Sequence, residues 1–303
     1  MKTLTVFTPT YNRAYCLGQC YESLKRQSNK DFDWLIIDDG STDRTKELVD
    51  SWIEENVITI RYIWQKNQGM HGAHNTAYEN IDTELNVCID SDDYLAKDAV
   101  DKIVSFWKNK GSQKYAGIIG LDASPSGEII GTSIPEHITE TALTDLYVLH
   151  KVRGDKKLVY RTDLIKSVPP YPLFKGEKYC PLNIKYILIE QEYPLLVLNE
   201  VLCHVEYRED GSSLNMLKQY KNNPNGFLHY RKVAMKYAPS FPKRLRESMH
   251  YVSGSLLLKE YLFLFKTPHR IEALLVTPMG IALYFYIQFR NRKNMLGKNQ
   301  VNN

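Results

Sequence analysis

The sequence predicts an α/β fold: a doubly wound, mostly parallel sheet flanked by helices, with a helical extension at the C-terminus. Three observations lead there. Short β-rich runs alternate with stretches of helical apolar spacing from Leu4 to Asp122. Polar clusters follow three of those runs directly, at Thr8–Asn12, Asp38–Ser41 and Asp90–Asp93, where ligands of such sheets bind. Beyond Leu214 the chain reads as helix, with a break near "APSFP".

The elements follow in order. Leu4 to Thr8 is a strand ended by Pro9. Tyr15 to Gln27 is helical, with Leu17, Cys20, Tyr21 and Leu24 on one face. Trp34 to Ile37 is a buried strand, and "STDRTKELVDSWIEE" is a helix capped by Ser41 or Thr42. "ITIRYIWQ" and "LNVCID" are the third and fourth strands, joined by a Gly-containing loop and a helical stretch, Ala73 to Glu79. "KDAVDKIVSFWKN" is a helix and "YAGIIGLD" a strand. After about residue 130 the pattern loosens: "KLVYRTDLI" starts as strand and turns helical, and "LLVLNEVLCHVEY" reads as strand, turn, strand.

Bulk properties narrow the classes. A chain of 303 residues suits one large domain, or a domain with an appendage. At 43% apolar residues it can build a core, which excludes global disorder. A net charge of +4 gives no reason to expect nucleic acid as a partner. The five cysteines (16, 20, 88, 180, 203) are scattered, and no second Cys or His pair completes a zinc pattern, so buried reduced thiols in a cytoplasmic protein are expected. "MKTLTVFTPT" opens directly into a strand, so a secretory signal is not expected.

The acidic clusters carry the chemistry. Asp38 and Asp39 precede Gly40-Ser41. A helix N-terminus accounts for Ser41 and Asp43, but not for both preceding carboxylates, one of which could accept from an N–H-bearing ring. In "CIDSDDYL", Asp90 and Asp92 are two apart and share a face if extended, which suits a hard divalent cation and a diphosphate. The bland alternative is a solvated acidic turn.

Together, "TVFTPTYNRAYCLGQCYESLKRQSNKDFDWLIIDDGSTDRT" and "CIDSDDYL" resemble the inverting glycosyltransferases of family 2, with the GT-A fold, of the kind that builds bacterial surface polysaccharides. The likeness is close over residues 3–108 and looser over 109–210. It implies a nucleotide-sugar donor, usually a UDP-sugar, with Thr8, Pro9 and Tyr11 lining the base and ribose and Asp39 bonding the base ring. Arg13, Asp38, His71, Asn75 and Ser91 join the donor site. Asp90 is shared between ribose and metal, Asp92 binds Mn²⁺ or Mg²⁺, and Asp93 stands as a lesser candidate. In "QKNQGMHGAHNTA", Met70 occupies the place of a common lysine, so the basic contact falls to His71 or Arg13, while His74 reads as a solvated loop residue.

The general base is nominated as Glu177 in "FKGEKYCPLN", although the second acid expected there is Lys178 and a surface pair would explain both. "EYREDGSS" adds Glu206, Glu209 and Asp210 as acceptor-side candidates, and His204 could complete a metal site. The Gln-x-x-Arg-Trp string of processive relatives is missing, which favours adding one sugar per encounter to a glycan or lipid-linked acceptor.

The domain expectation is residues 1–210 for the transferase, split into donor (1–108) and acceptor (109–210) halves, and 211–303 for the helical region. Ile271 to Phe289 is marginally long enough to span a bilayer, but Pro278 and Gly280 interrupt it and basic residues flank both sides. An in-plane helix on the inner face of the plasma membrane, over 268–293, fits better; a homodimer or domain-packing helix is the alternative. Two other functions stay open, a catalytically impaired sugar-nucleotide binding module and a nucleotidyltransferase. The second would want a Gly-rich loop with a lysine where "TPTYNRAY" stands.

Overall fold

The structure, a computed structural model, describes residues 2–206 and 216–301, with side chains through residue 290. It divides into two compact units, Met1–Tyr171 with Leu188–Glu206, and Pro172–Ile187 with Tyr207–Asn303. The chain crosses between them after residues 171, 187 and 206, and the segment holding Glu177 clusters with the C-terminal helices.

The first unit begins with β1 (Leu4–Thr10), α1 (Leu17–Lys25), β2 (Phe32–Asp38), α2 (Thr45–Glu55), β3 (Ile60–Trp64), α3 (Met70–Asn80) and β4 (Leu85–Cys88). It continues with β5 (Tyr94–Leu95), α4 (Ala99–Lys110), β6 (Gly117–Ala123), β7 (Glu140–Thr141), α5 (Leu143–Val148), β8 (Lys156–Arg161) and α6 (Thr162–Ser167). The chain re-enters it along α7 (Asn183–Ile189) and adds β9 (Leu195–His204).

These strands form one nine-stranded sheet in the order β3-β2-β1-β4-β8-β6-β9-β5, with β7 on β9. β3, β2, β1 and β4 run parallel, as do β6 and β9, whereas β8, β5 and β7 pair antiparallel. The chain builds outward from β1 to β3, then returns to place β4 on the other side of β1. That reversal makes the β1/β4 junction the topological switch point.

Side-chain alternation buries the sheet on both faces. Leu4 and Val6 of β1, Trp34 and Ile36 of β2, and Leu85 and Val87 of β4 pack with α1, α2 and α4. Within that layer the Tyr21 and Trp52 rings stack at 4.5 Å. Phe7 points the other way, edge-on to His74 and Tyr78 of α3 at 5.1 and 5.4 Å.

Three expectations are corrected. β9 is one ten-residue strand, not two. Its register against β6 shifts between Ile119 and Leu121 and again between Leu121 and Asp122, and in the first of these bulges the Asn199 side chain bonds both backbone groups of Ile134. α2 starts at Thr45 and is held by Asp43, which accepts from the Thr45 N–H and hydroxyl; the Ser41 hydroxyl instead accepts from the Asn12 N–H. His74 is no solvated loop residue. α3 begins at Met70, so His74 lies one turn in, fully buried among Phe7, Tyr78 and Tyr171, with Nδ1 donating to the Met70 carbonyl at 3.0 Å. Burial lowers its pKa below the usual imidazole range.

The second unit contains α8 (Met216–Asn222), α9 (Pro224–Lys236), α10 (Phe241–Leu257), α11 (Phe263–Lys266), α12 (Arg270–Leu275) and α13 (Thr277–Val301). Proline stands in the first turn of α9 and of α10, where no intrahelical N–H bond is lost. Tyr251 and Val252 of α10 pack with Phe263, Ala273 and Val276. Glu247, buried on α10, is paired with Arg231 and Lys243, which hold its pKa below the usual range against burial. The apolar run 271–289 is split between α12 and α13, because Pro278 starts a new helix. Gly280 permits close approach to Val252: a Cβ there would lie 2.6 Å from it. Among the described residues no helix is long and apolar enough to cross a membrane.

Candidate active site

The polar clusters of the sequence come together at the carboxyl ends of β2, β1 and β4. Parallel pairing sets Thr10 beside Asp38 and Phe7 beside Cys88, so the residues after β2 and after β4 flank the exit of β1. Adjacent strands lie about 4.8 Å apart, which brings both acidic turns to the same edge at the switch point.

The exit loop of β1 is knitted to the loop after β2. Asn12, at φ +53°, donates its N–H to Ser41 Oγ and accepts at Oδ1 from the Thr42 N–H, both at 2.8 Å. Asp43 Oδ2 accepts from the Ala14 N–H. Tyr11 and Tyr15 remain exposed on this shelf, and the Arg13 guanidinium lies over the Tyr15 ring, 5.7 Å from its centroid. Pro9 is half-buried.

Both acids of the second strand are buried and engaged. Asp38 accepts from the Ser41 N–H at 2.7 Å and from the Tyr62 hydroxyl at 2.5 Å. Asp39 accepts at Oδ1 from Gln65 Nε2 and the Gln68 N–H, and at Oδ2 from the Gly69 N–H, at 2.7, 2.8 and 2.7 Å. It thereby fixes the 65–69 loop and the entry to α3. Gly40 is required between these loops: its φ is +88°, and a Cβ would lie 3.0 Å from the Asn67 nitrogen.

After β4, Asp90 is exposed and Asp92 half-buried, while Ser91 and Asp93 are buried. The Asp93 N–H donates to the Asp90 carbonyl, closing a tight turn, and the Glu206 N–H donates to Asp93 Oδ1. Gln19 of α1 donates to the Asp92 carbonyl. Burial pushes Asp93 up to about 8; the Lys157 ammonium opposes that rise, and Asp90 and Asp92 add to it. Lys157 itself, 11% exposed at its side chain, lies between Asp122, at 3.8 Å, and the Cys88 carbonyl, at 3.4 Å.

Asp90 and Asp92 are hard oxygen donors within electrostatic reach of Asp93. Among the described residues no three His, Cys, Asp or Glu side chains form a metal-binding group by themselves. Two carboxylates completed by a ligand's phosphates is the usual arrangement for Mg²⁺, so the residues fit such an ion. His204, expected only as a lesser candidate, is brought close by topology: it pairs with Tyr94, two residues past Asp92, and stacks on that ring at 5.0 Å. Its Nδ1 donates to the Ser124 carbonyl, which leaves Nε2 as the nitrogen available to a ligand.

Some nominated residues go elsewhere. Thr8 does not reach the site: it is 0% exposed, and its hydroxyl accepts from Trp34 Nε1 at 2.9 Å inside the core. Asn75 clamps the backbone of Tyr171, donating to its carbonyl and accepting from its N–H. His71 is buried in the first turn of α3. Glu177 belongs to the second unit and caps α9, accepting at Oε1 from the Asn225 N–H and Nδ2 and at Oε2 from the Gly226 N–H. Lys178 donates its N–H to Asn223 Oδ1. Glu209 and Asp210 lie outside the described residues.

The structure adds residues that the sequence reading missed. Thr10 Oγ1 is buried at the end of β1 with no hydrogen-bond partner among the described residues. Its position after Thr8-Pro9 was the available signal. Lys157 and Asp122 carried no local signal, because β8 and β6 reach the site only through sheet pairing.

A doubly wound sheet with acidic turns on both sides of its switch point is the donor half of a GT-A glycosyltransferase fold. The chain belongs to glycosyl transferase family 2, whose sequence model matches residues 5–158. A teichoic acid poly(glycerol phosphate) polymerase of Staphylococcus epidermidis is 38% identical over 101 residues, which are 33% of this chain and 14% of that protein. A GalNAc(5)-diNAcBac-PP-undecaprenol beta-1,3-glucosyltransferase of Campylobacter jejuni is 24% identical over 77% of this chain and 74% of its own length. This chain thus spans about a seventh of the first relative and three-quarters of the second. Among solved structures, residues 1–349 of S. aureus TarS bound to UDP-GlcNAc align with a TM-score of 0.61 at 17% identity, over 97% of this chain and 92% of that one, which establishes likeness of fold.

Proposed function

We propose that the chain transfers one sugar, with inversion, from a UDP-sugar to a hydroxyl of a glycan or lipid-linked acceptor in the synthesis of a cell-surface polysaccharide. The observation that carries this reading is the pair of acidic turns flanking β1 at the switch point of a family 2 fold. The undecaprenol-linked saccharide in the Campylobacter relative's name supports the acceptor class, the teichoic acid in the Staphylococcus relative's name supports a cell-surface polymer, and the UDP-GlcNAc bound by TarS supports the donor class.

In this reading Tyr11 and Pro9 bound the base and ribose, and Thr10 replaces Thr8 as the hydroxyl of β1 that meets the donor. Asp39, while anchoring the 65–69 loop, accepts from the base ring as well, since a carboxylate has about four acceptor sites. Asp90 and Asp92, completed by the donor's phosphates, would hold Mn²⁺ or Mg²⁺. A bound divalent cation offsets negative charge on the leaving diphosphate. Asp93 and Lys157 set the local field beneath those carboxylates. A carboxylate base takes the acceptor's proton as its oxygen attacks the anomeric carbon. The resemblance nominates Glu177 for this step; what the structure shows of Glu177 is its cap on α9.

UDP release across a panel of UDP-sugars, with Mn²⁺ and an acceptor glycan, tests the reading. Asp92→Ala is expected to lose turnover by at least about 100-fold, as expected when electrostatic stabilisation of developing charge is removed. Equal turnover in the mutant removes the metal assignment. For Glu177→Gln, UDP binding is expected to persist while transfer is lost. Surviving transfer with a lowered melting temperature leaves Glu177 a cap and makes Asp210 or Glu209 the next candidate for the base. Donor binding without transfer in the parent, for every donor and acceptor tried, favours the impaired binding module suggested by Met70 and Lys178.

A further inference from the structure

The second unit presents an apolar surface far beyond what its core needs. Of the 23 large apolar side chains exposed among the described residues, eleven fall between Tyr261 and Phe289. Phe265 is 71% exposed and Ile271 73%. Burying one face of each helix does not relieve this. α12 turns Ala273 inward but leaves Ile271, Leu274 and Leu275 outside. α13 packs Ile287 inward, beside Tyr220 and Phe227, and leaves Ile281 and Phe285 outside, one turn apart on one face.

The charges around this surface are one-sided. Lys259, Lys266, Arg270 and Arg290 are exposed. The Arg270 guanidinium lies over the Phe265 ring, 5.8 Å from its centroid, and that of Arg290 over Tyr286 at 5.9 Å, so cations sit at the edge of the apolar side chains. The acids are already engaged: Glu272 is bound by Arg244 at 3.0 Å and Glu260 by Lys266 at 2.7 Å.

We propose that the surface of α11, α12 and the first half of α13 docks in the interfacial zone of a bilayer containing anionic lipids. Apolar side chains enter the acyl boundary, and Arg270 and Arg290 meet headgroup phosphates. A second copy of this chain is the competing occupant and fits less well. A two-fold interface sets a patch against itself, which would bring the same arginines together without free acids to offset them. The inference deepens the reading of a lipid-linked acceptor by giving the chain a hold on the acceptor's membrane. Its test measures lipid binding with no sugar transfer, so either can fail alone.

The full chain is floated with phosphatidylcholine vesicles and with vesicles containing phosphatidylglycerol. The parent is expected to float with the anionic vesicles and far less with the neutral ones. Phe265→Asp combined with Leu274→Asp, both at exposed positions, is expected to lower partition by at least 10-fold, an order-of-magnitude figure from the apolar area withdrawn. Arg270→Glu combined with Arg290→Glu is expected to erase the preference for anionic lipid. In all variants the melting temperature stays near that of the parent, since the changed side chains are exposed. A parent that remains unbound to anionic vesicles overturns the proposal, as does binding that neither double variant changes. A parent dimer in sedimentation equilibrium that Phe265→Asp/Leu274→Asp converts to monomer, without vesicle binding, assigns the surface to a second copy.

Discussion

Thr8 shows how much one hydroxyl depends on strand parity. Leu4, Val6 and Thr8 alternate onto the face covered by α1, and there Thr8 accepts the Trp34 indole N–H. Thr8→Val should leave that N–H unpaired and cost about 1–3 kcal/mol, read as a lower denaturation midpoint with donor affinity unchanged. The period of two already placed Thr8 with Leu4 and Val6, so its burial was legible; the family pattern drew it to the site instead. The excess of charge at Asp90–Asp93 was legible for a local reason, since a strand end needs no such density. Lys157 was not, because it meets Asp122 and the Cys88 carbonyl only once β4, β8 and β6 pair. Lys157→Met should leave the buried Asp122 carboxylate unmatched and destabilise by about 3–5 kcal/mol, and adding Asp122→Asn should restore most of that loss. A double-mutant cycle of unfolding free energies checks both.

Among the elements, α3 and β9 departed furthest from the sequence reading. Local periodicity starts this helix at Ala73, since Gly69 and Gly72 look like loop residues. Asp39 supplies a remote cap to the entry, and the helix starts at Met70. β9 looked like two strands because Asn199 and Glu200 resemble a turn, but a bulge accommodates them within one strand. Neither a cap from another strand nor a bulge leaves a mark in local periodicity. α10 carries a pH dependence that the sequence could not show. Burial, reinforced by Arg231 and countered by Glu247, lowers His250 to about 4, with Arg246 and Lys243 adding to the fall. Between about pH 6.5 and 4 the unfolded chain takes up a proton that the native imidazole refuses, so stability falls as the pH drops through that window. His250→Gln should flatten this part of the curve of denaturation midpoint against pH; an unchanged slope would assign the acid limb to other groups.

At the scale of the molecule, the donor half was legible in outline and the division of the chain was not. Order, type and polarity of β1 to β4 follow from alternating apolar periods, and the family match over residues 5–158 covers that part. The division follows from contacts between distant segments, such as Glu177 with Asn225 and Cys180 with the Gly226 carbonyl, which no local pattern announces. The interleaving also sets an order of synthesis. Residues 172–187 leave the ribosome before α9 exists, while β9, made next, already has β6 waiting to pair with it. The sheet can therefore close with an unsatisfied loop hanging from it, and only the arrival of residues 224–236 gives that loop a partner. A chain stopped at residue 206 would keep every strand of the described residues and still expose Cys180 and the Glu177 carboxylate, so cutting at the apparent end of the sheet is expected to give an aggregation-prone fragment instead of a minimal enzyme.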